Sequence, residues 1–324
     1  MKRFFCIFLS FLLVCGALAG CGKAQPQEAA EPSHMLEGKR VIFIGNSHTY
    51  KGGVVNYIGS STVEQEPRNN DLGLFYLLCL ENGANVSVTN WTFSGHGLQN
   101  LFGRPCQMSS ACGGKNHEEY LTDRYYDYVV VTPGVGTASA QLLPEDMAYI
   151  KDFFLEANPN AAFVCLGNAS VYGHNVESTP YPGITGYYKT LEQEGWLIAD
   201  WGRIVSDLIN GQATPEGSGE TFYKNTFIVK DGFHPNLLSG YIATVMTYCT
   251  ITGESAQSLA PDFFTSKSIF NATIEQQLSG SYARGEQDTN FHKILMSETE
   301  MAALLALIDQ QLKTRPYLQN EMPQ

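Results

Sequence analysis

Residues 40–49 read Arg-Val-Ile-Phe-Ile-Gly-Asn-Ser-His-Thr, and this stretch decides the fold. Its first five residues form a β-rich apolar run without polar alternation, which is typical of a strand covered on both faces. Gly45 ends the run, and Ser47 follows just past the carboxyl end of the strand, where a turn can expose a hydroxyl and a backbone N–H. The stretch therefore predicts a central strand of a buried sheet with a polar corner at its end.

The rest of the chain alternates strand-like and helix-like stretches. Further strands are predicted at residues 86–93, 126–132, 161–167 and 196–200, and helices at residues 72–81, 144–156, 186–194, 202–208 and 237–253. This alternation favours an α/β fold with a doubly wound, flavodoxin-like and mostly parallel sheet that carries helices on both faces. The functional site of such a fold lies at the carboxyl ends of the strands. Three long connections, residues 50–71, 103–123 and 211–230, are predicted to form rim loops around that site.

The first 20 residues have the pattern of a secretory signal. Two basic residues precede an apolar run at residues 4–18, which is shorter than the roughly 20 residues of a spanning helix. The run ends in Leu-Ala-Gly-Cys, which resembles the lipobox of bacterial lipoproteins and implies that Cys21 is lipidated. An ordinary signal with an incidental cysteine is the alternative. We expect a protein outside the cytoplasmic membrane, anchored to the bacterial cell surface by lipid.

Composition limits the classes of protein and partner. The chain has 324 residues, a net charge of -12, 44% hydrophobic and 16% charged residues, which excludes a disordered or fibrous protein. No long Lys/Arg run is present, and phosphate binding needs clustered cations, so nucleic acid is not expected as a partner. We predict a signal at residues 1–20, a flexible tether at 21–38, a single domain at 39–255 and a mainly helical C-terminal extension at 256–324. The oligomeric state stays open.

Five cysteines follow the lipidation position. Cys106 and Cys112 bracket a short segment that contains Gly and Ser, and in an oxidising compartment this spacing favours a disulfide. Cys79, Cys165 and Cys249 lie in apolar runs and are predicted to be buried thiols. Because no paired spacing of a zinc site occurs, the sequence predicts neither a metal nor another cofactor.

An acid and a histidine three residues apart, Asp231 and His234, precede the helix predicted at residues 237–253. Serine is a weak nucleophile without a base, and a short loop lets a carboxylate orient an imidazole that takes the serine proton. Ser47, His234 and Asp231 are therefore candidates for nucleophile, base and orienting carboxylate. Taken singly, each has a structural interpretation: Ser47 as a helix cap, Asp231 as a turn residue and His234 as a loop histidine.

The order of these blocks resembles the SGNH (GDSL-like) hydrolases. The Gly-Asn-Ser block ends at Ser47 after the first strand, a Ser-Gly-His-Gly block containing Gly95 follows the second, and the block from Asp231 to His234 precedes the last core helix. The resemblance covers roughly residues 40–255. It implies a single SGNH-hydrolase-type domain and a serine esterase without metal. It assigns catalysis to Ser47, Asp231 and His234 and an oxyanion hole to the backbone N–H groups of Ser47 and Gly95.

One block departs from the family pattern. The family usually carries an Asn after the third strand, whose side chain donates to the oxyanion, but here Gly134 occupies that position. A backbone N–H near Gly134 and the side chain of Asn168 are two possible replacements, between which the sequence does not choose. The departure favours a second function, a non-catalytic glycan-binding lipoprotein on a degenerate SGNH fold. A solute-binding lipoprotein would usually need two similar lobes, and only one series of blocks is present.

Aromatic residues in the predicted rim loops suit sugar faces or acyl chains. They are Tyr50, Tyr57, Tyr172, Tyr181, Tyr187, Tyr188, Phe222 and Tyr223. The resemblance implies ester hydrolysis without specifying the ester, and the acidic chain favours an acetyl group on a neutral carbohydrate over an anionic polymer. His48 and His96 adjoin the predicted site, and either contact substrate or only line the rim or bond locally. Asn46 is predicted to brace the turn through side-chain hydrogen bonds.

Overall fold

The computed structural model describes residues 34–50, 52–55, 68–69, 73–93, 97–102, 117–133, 144–167, 184–209, 227, 234–262 and 298–315. The described residues from Met35 onward belong to one compact unit. Among the described helices, none is both long and apolar enough to cross a membrane. The predicted lipidation of Cys21 and the predicted disulfide between Cys106 and Cys112 lie outside the described residues and stay predictions.

A mixed sheet forms the centre of this unit. Its strands are β1 (Arg40–Gly45), β2 (Arg68–Asn69), β3 (Ser87–Thr92), β4 (Tyr128–Val131), β5 (Ala162–Leu166) and β6 (Trp196–Ala199). They lie in the order β2-β3-β1-β4-β5-β6; β1 is parallel to β3 and β4, β5 is parallel to β4 and β6, and the short β2 pairs with β3 in the antiparallel sense. The five longer strands have the flavodoxin-like order. The predicted doubly wound, mostly parallel sheet is therefore confirmed.

Helices cover both faces of the sheet. They are α1 (Ser47–Tyr50), α2 (Leu74–Glu81), α3 (Leu98–Phe102), α4 (His117–Tyr120), α5 (Pro144–Leu155), α6 (Ile184–Gln193), α7 (Trp201–Ile209), α8 (Leu237–Thr252) and α9 (Glu298–Thr314), and a 3₁₀ turn spans Ala256–Ser258. Val41 and Phe43 of β1 belong to the core shared with α2, α7, α8 and α9, whereas Ile42 and Ile44 belong to the core shared with α3, α5 and α6. Because both faces of β1 are buried, its sequence shows no polar alternation.

Helix α8 is buried on almost every side, as its nearly uniform apolar sequence requires. It begins after Asn236, whose side-chain Oδ1 accepts a hydrogen bond from the Ser239 N–H at 3.1 Å. It ends at Gly253, whose left-handed backbone (φ 73°) lets its N–H donate to the Cys249 carbonyl at 2.8 Å. The cap at Asn236 determines where the preceding residues, including His234, approach the sheet.

The folded unit begins earlier than the predicted boundary at residue 39. Leu36 is fully buried in the core, and the Glu37 carboxylate accepts from the Asn85 N–H at 2.6 Å. The last residues of the predicted tether at 21–38 therefore pack on the domain. Met35 and Leu36 are two adjacent apolar residues at the end of a polar segment, too few to show a periodicity, so the pattern gave no sign of this contact.

Two predicted rim loops contain regular structure. Strand β2 lies within residues 50–71, and α4 lies within residues 103–123. Both elements are short, and a strand of two residues is below the length at which alternation can be recognised. The predicted C-terminal extension contributes α9, which buries Met301, Leu304, Leu305 and Ile308 in the main core.

The three cysteines predicted to be buried thiols are confirmed as free and buried. Burial raises the pKa of the Cys249 thiol to about 12 and raises the pKa of Cys79 and Cys165 as well. Thiols that stay protonated are poor nucleophiles, so these cysteines serve packing.

Candidate active site

The structure brings Ser47 and His234 into contact across 187 residues of sequence. Ser47 is the first residue of α1, directly past the end of β1, and His234 lies two residues before the cap of α8. The Ser47 Oγ and the His234 Nε2 are 2.8 Å apart, so the hydroxyl can donate to an unprotonated ring nitrogen. A hydroxyl with a base in hydrogen-bond reach is the arrangement that activates a serine nucleophile.

Asn46 holds the corner between β1 and α1. Its side-chain Oδ1 accepts from the His48 N–H at 3.0 Å, and its carbonyl accepts from the Thr49 N–H at 2.9 Å. These two bonds satisfy amides that the start of a helix otherwise leaves without partners. The predicted bracing role of Asn46 is confirmed, although the turn that it braces opens a short helix.

Gly45 permits a close contact behind Ser47. The Thr49 hydroxyl donates to the Thr132 hydroxyl at 2.7 Å, which ties α1 to the residue that follows β4. A Cβ atom on Gly45 would lie 2.4 Å from the Thr49 Oγ1 and 2.9 Å from the Thr132 Cβ. Only glycine therefore fits between these two threonines without displacing α1.

The start of α8 is held from two sides. The Phe227 carbonyl accepts from the Asn236 N–H at 2.9 Å and from the Ser239 hydroxyl at 2.6 Å. On the other side, a Cβ atom on Gly240 would lie 1.6 Å from the carbonyl oxygen of Gly52. The first turn of α8 is thus in backbone contact with the segment that follows α1, and the two halves of the Ser47–His234 pair are docked on each other.

His48 is a buried neighbour of the pair. Its ring stacks on the His234 ring with centroids 4.9 Å apart and an interplanar angle of 30°. His48 is 3% exposed, so it does not line an exposed rim. His96, the other histidine predicted near the site, lies outside the described residues.

The site is more enclosed than the sequence suggested. Ser47 is 5% exposed and His234 is 9% exposed, whereas a turn had been expected to expose the serine hydroxyl. The difference arises because α1 packs on β1 and β3, while the segment after it meets α8 at Gly240. A short helix buries its first residue where an open turn would not.

The remaining predicted site residues fall outside the described part of the chain. They are Asp231, Gly95, Gly134 and Asn168. The orienting carboxylate and all of the oxyanion donors, the Ser47 N–H included, therefore stay predictions. No group of three or more His, Cys, Asp or Glu side chains that could hold a metal ion occurs among the described residues.

Two of the tyrosines predicted for the rim are core residues. Tyr50 is buried near the end of α1, and Tyr188 is fully buried where α6 packs on the sheet. Tyr187, the neighbour of Tyr188, is partly buried against the same core. The rim prediction is wrong for Tyr50 and Tyr188, because α1 is buried over its whole length and Tyr188 lies on the face of α6 that packs on the sheet. The other rim candidates, Tyr57, Tyr172, Tyr181, Phe222 and Tyr223, lie outside the described residues.

The sequence did not predict the contacts that bring Ser47 and His234 together. One signal was available: Gly240 interrupts an otherwise good helical run, and an isolated glycine there indicates close packing. The partner of Gly240, at Gly52, had no such signal. The stacking of His48 on His234 had none either, because it joins segments that are distant in sequence.

No family model matches the sequence, and no curated protein matches it significantly. Similar solved structures include a Parabacteroides merdae protein provisionally described as a GDSL-like lipase, at 18% identity and TM-score 0.43, covering 68% of this chain and 99% of that chain. A catalytic mutant of an acetylxylan esterase from Geobacillus stearothermophilus has 17% identity and TM-score 0.45, with coverages of 68% and 97%. A Slackia heliotrinireducens protein provisionally described as an SGNH hydrolase has 14% identity and TM-score 0.39, with coverages of 67% and 100%. At these identities and TM-scores, the assignment of an activity depends on the residues of this chain.

Proposed function

We propose that this protein is a serine esterase of the SGNH type that hydrolyses an O-acyl ester, an acetyl group on a carbohydrate in particular. The observation that carries the proposal is the 2.8 Å contact between the Ser47 Oγ and the His234 Nε2. It lies at the carboxyl end of β1, beside the switch point of the sheet, where doubly wound folds bind their ligands.

The proposed reaction has two steps. The Ser47 Oγ attacks the acyl carbonyl carbon while the His234 Nε2 takes the hydroxyl proton, and the tetrahedral intermediate then expels the alcohol, which receives that proton. Water next attacks the acyl-enzyme by the same route and releases the acid. Asp231 orients the His234 ring, and the backbone N–H groups of Ser47 and Gly95 stabilise the oxyanion, together with a donor near Gly134 or from Asn168.

The enclosure of the pair favours a short acyl group. Only small fractions of Ser47 and His234 are exposed, so a long acyl chain would have to displace buried neighbours. An acetyl group needs the least room. The net charge of -12 favours a neutral alcohol moiety, such as an uncharged glycan, because an anionic polymer would be repelled.

The decisive experiment compares the chain from Gly22 onward with its Ser47→Ala variant on 4-nitrophenyl acetate and acetylated xylan. Loss of the nucleophile should lower kcat/KM by at least about 10³-fold. The free energy of unfolding should fall by no more than about 1–3 kcal/mol, because the buried His234 Nε2 loses its hydrogen bond with Ser47. Equal rates in the two proteins, with matching circular dichroism, would contradict the proposal.

A second function, glycan binding without catalysis, is favoured by Gly134 in the place of an oxyanion-donating Asn. If both proteins are inert, binding to acetylated and deacetylated xylan by isothermal titration calorimetry tests this function directly. Glycan binding that Ser47→Ala leaves unchanged would support it.

We also propose that Cys21 is lipidated and holds the protein at the outer side of the cytoplasmic membrane. The support is the lipobox-like end of the apolar N-terminal run. Mass spectrometry of the mature N-terminus tests this: a diacylated Cys21 is expected, and an unmodified N-terminus at another residue would contradict it.

A further inference from the structure

The ring of His48 stacks on the ring of His234, the residue whose Nε2 contacts the Ser47 Oγ. The two centroids are 4.9 Å apart, and the planes are inclined by only 30°. His48 belongs to α1, and His234 belongs to the segment before α8, so the stack joins the two elements that supply the nucleophile and the base. Both rings are buried, and the contact is therefore shielded from water.

The backbone beneath His48 is fixed independently of His234. The His48 N–H donates to the Asn46 Oδ1, and the next residue, Thr49, is tied to Thr132 at the end of β4. The backbone that carries the His48 ring is therefore held by contacts that do not involve His234.

The face of the His48 ring restricts rotation of the His234 ring. Rotation of the His234 ring about its Cβ–Cγ bond would swing the Nε2 away from the Ser47 Oγ, and a stacked ring opposes that rotation. Misplacement of a reacting group by about 1 Å can cost about 10²-fold in rate.

We propose that His48 is a positioning residue that holds the His234 ring in register with Ser47 through aromatic stacking. The proposal rests on the proposed esterase function for its kinetic consequence, but the orientation of His234 can be observed without turnover. His48 acts through His234 and is not assigned a contact with substrate.

The experiment compares His48→Leu with His48→Phe in the chain from Gly22 onward. Leucine fills space but has no flat face, so kcat on 4-nitrophenyl acetate should fall by about 10- to 100-fold while KM stays nearly constant. Phenylalanine keeps the flat face and should retain most of the wild-type kcat. His117→Leu is the matched control, because His117 is also buried among aromatic rings but packs against Phe102 and Tyr149 far along the other face.

A second measurement does not depend on activity. The ring ¹⁵N chemical shifts of His234 report which nitrogen carries the proton, and a defined hydrogen bond at Nε2 favours one tautomer. Wild type and His48→Phe should show one predominant tautomer, and His48→Leu should show a mixture. An inert wild-type protein would contradict the esterase function, and these spectra would still decide the positioning role.

Three results would overturn the positioning role. The first is a His48→Leu protein with unchanged kcat and unchanged His234 signals. The second is a rise in KM alone, which would indicate contact with substrate. The third is a loss of kcat that His48→Phe does not restore or that His117→Leu reproduces.

Discussion

Two buried polar clusters of this protein use hydrogen bonds in opposite ways. The serine–histidine corner consists of Ser47, His48 and His234, and the C-terminal clamp consists of Asp309 with its donors Ser255, Ala256, Gln257 and Lys313. In the corner, a 2.8 Å hydrogen bond joins the Ser47 Oγ to the His234 Nε2, and the His48 ring stacks on the His234 ring. In the clamp, one carboxylate receives four donors from the 3₁₀ turn, its flanking residue and α9.

The two clusters differ in how much their hydrogen bonds contribute to the stability of the fold. A charged group with several donors lowers the free energy of the folded state, because a buried carboxylate is costly until its oxygens are satisfied. The hydrogen bond between Ser47 and His234 contributes about 1 kcal/mol, yet it places a hydroxyl donor against a ring nitrogen. Substitutions in the corner should therefore change rate more than stability, and substitutions in the clamp should do the reverse.

The substitution with the largest expected effect on activity is His234→Ala. It should lower kcat/KM on 4-nitrophenyl acetate by at least about 10³-fold, because nucleophile and base act as a unit. The midpoint of thermal unfolding should move little, since the corner is not what stabilises the fold. A variant that unfolds at a much lower temperature would show that the corner also has a structural role.

Gly240→Ala should lower both the free energy of unfolding and kcat. The added methyl group would collide with the Gly52 carbonyl, so α8 and the segment after α1 must separate, at a cost of about 3 kcal/mol. Because His234 precedes α8 and Ser47 opens α1, kcat should fall as well.

Gly253→Ala is the matched control for Gly240→Ala. A Cβ at Gly253 meets no atom within 4 Å, and its only penalty is the left-handed backbone, about 1 kcal/mol. Activity should survive in the control. Urea unfolding and kinetics on both variants measure the two effects, and equal activity in both variants would contradict the docking role of the Gly52–Gly240 contact.

Asp309→Asn should affect stability alone. Removing the charge from a buried carboxylate with four donors should cost about 1–3 kcal/mol of unfolding free energy, with kcat unchanged. Asp152→Asn, at an exposed carboxylate on α5, is the control and should change neither quantity. A loss of kcat in Asp309→Asn would mean that the clamp also helps to hold the residues of the serine–histidine corner in place.

The clamp also predicts a pH dependence of stability. Burial raises the pKa of Asp309, but hydrogen bonds from Lys313, Ser255 and Gln257 outweigh it, and the net shift is below the ordinary value. A carboxylate with a lowered pKa stabilises the fold above the ordinary carboxyl pKa of about 4, and this contribution is lost as pH falls through the lower folded-state value. The stability difference between wild type and Asp309→Asn should therefore shrink in acid. A difference that is constant with pH would contradict the assigned shift.

The sequence predicted the sheet almost completely, because each central strand is a short apolar run without alternation and β1 is the clearest of them. The bracing of the corner by Asn46 was also predicted, since Asn side chains often form hydrogen bonds with the backbone of a turn. The predictions that failed concern single side chains, such as the burial of Tyr188 and Leu36. These side chains become buried through partners distant in sequence, which a local pattern does not contain.

What the sequence by itself determined is the position of Ser47 just past a buried strand and of His234 just before a helix. Local pattern was enough because these features depend on residue type and on short-range periodicity. Only the tertiary structure decided that Ser47 and His234 lie 2.8 Å apart, that His48 stacks on the base and that α8 approaches Gly52 through Gly240. These contacts depend on how the parallel strands and their helices pack, which brings residues almost 200 positions apart to the same edge of the sheet.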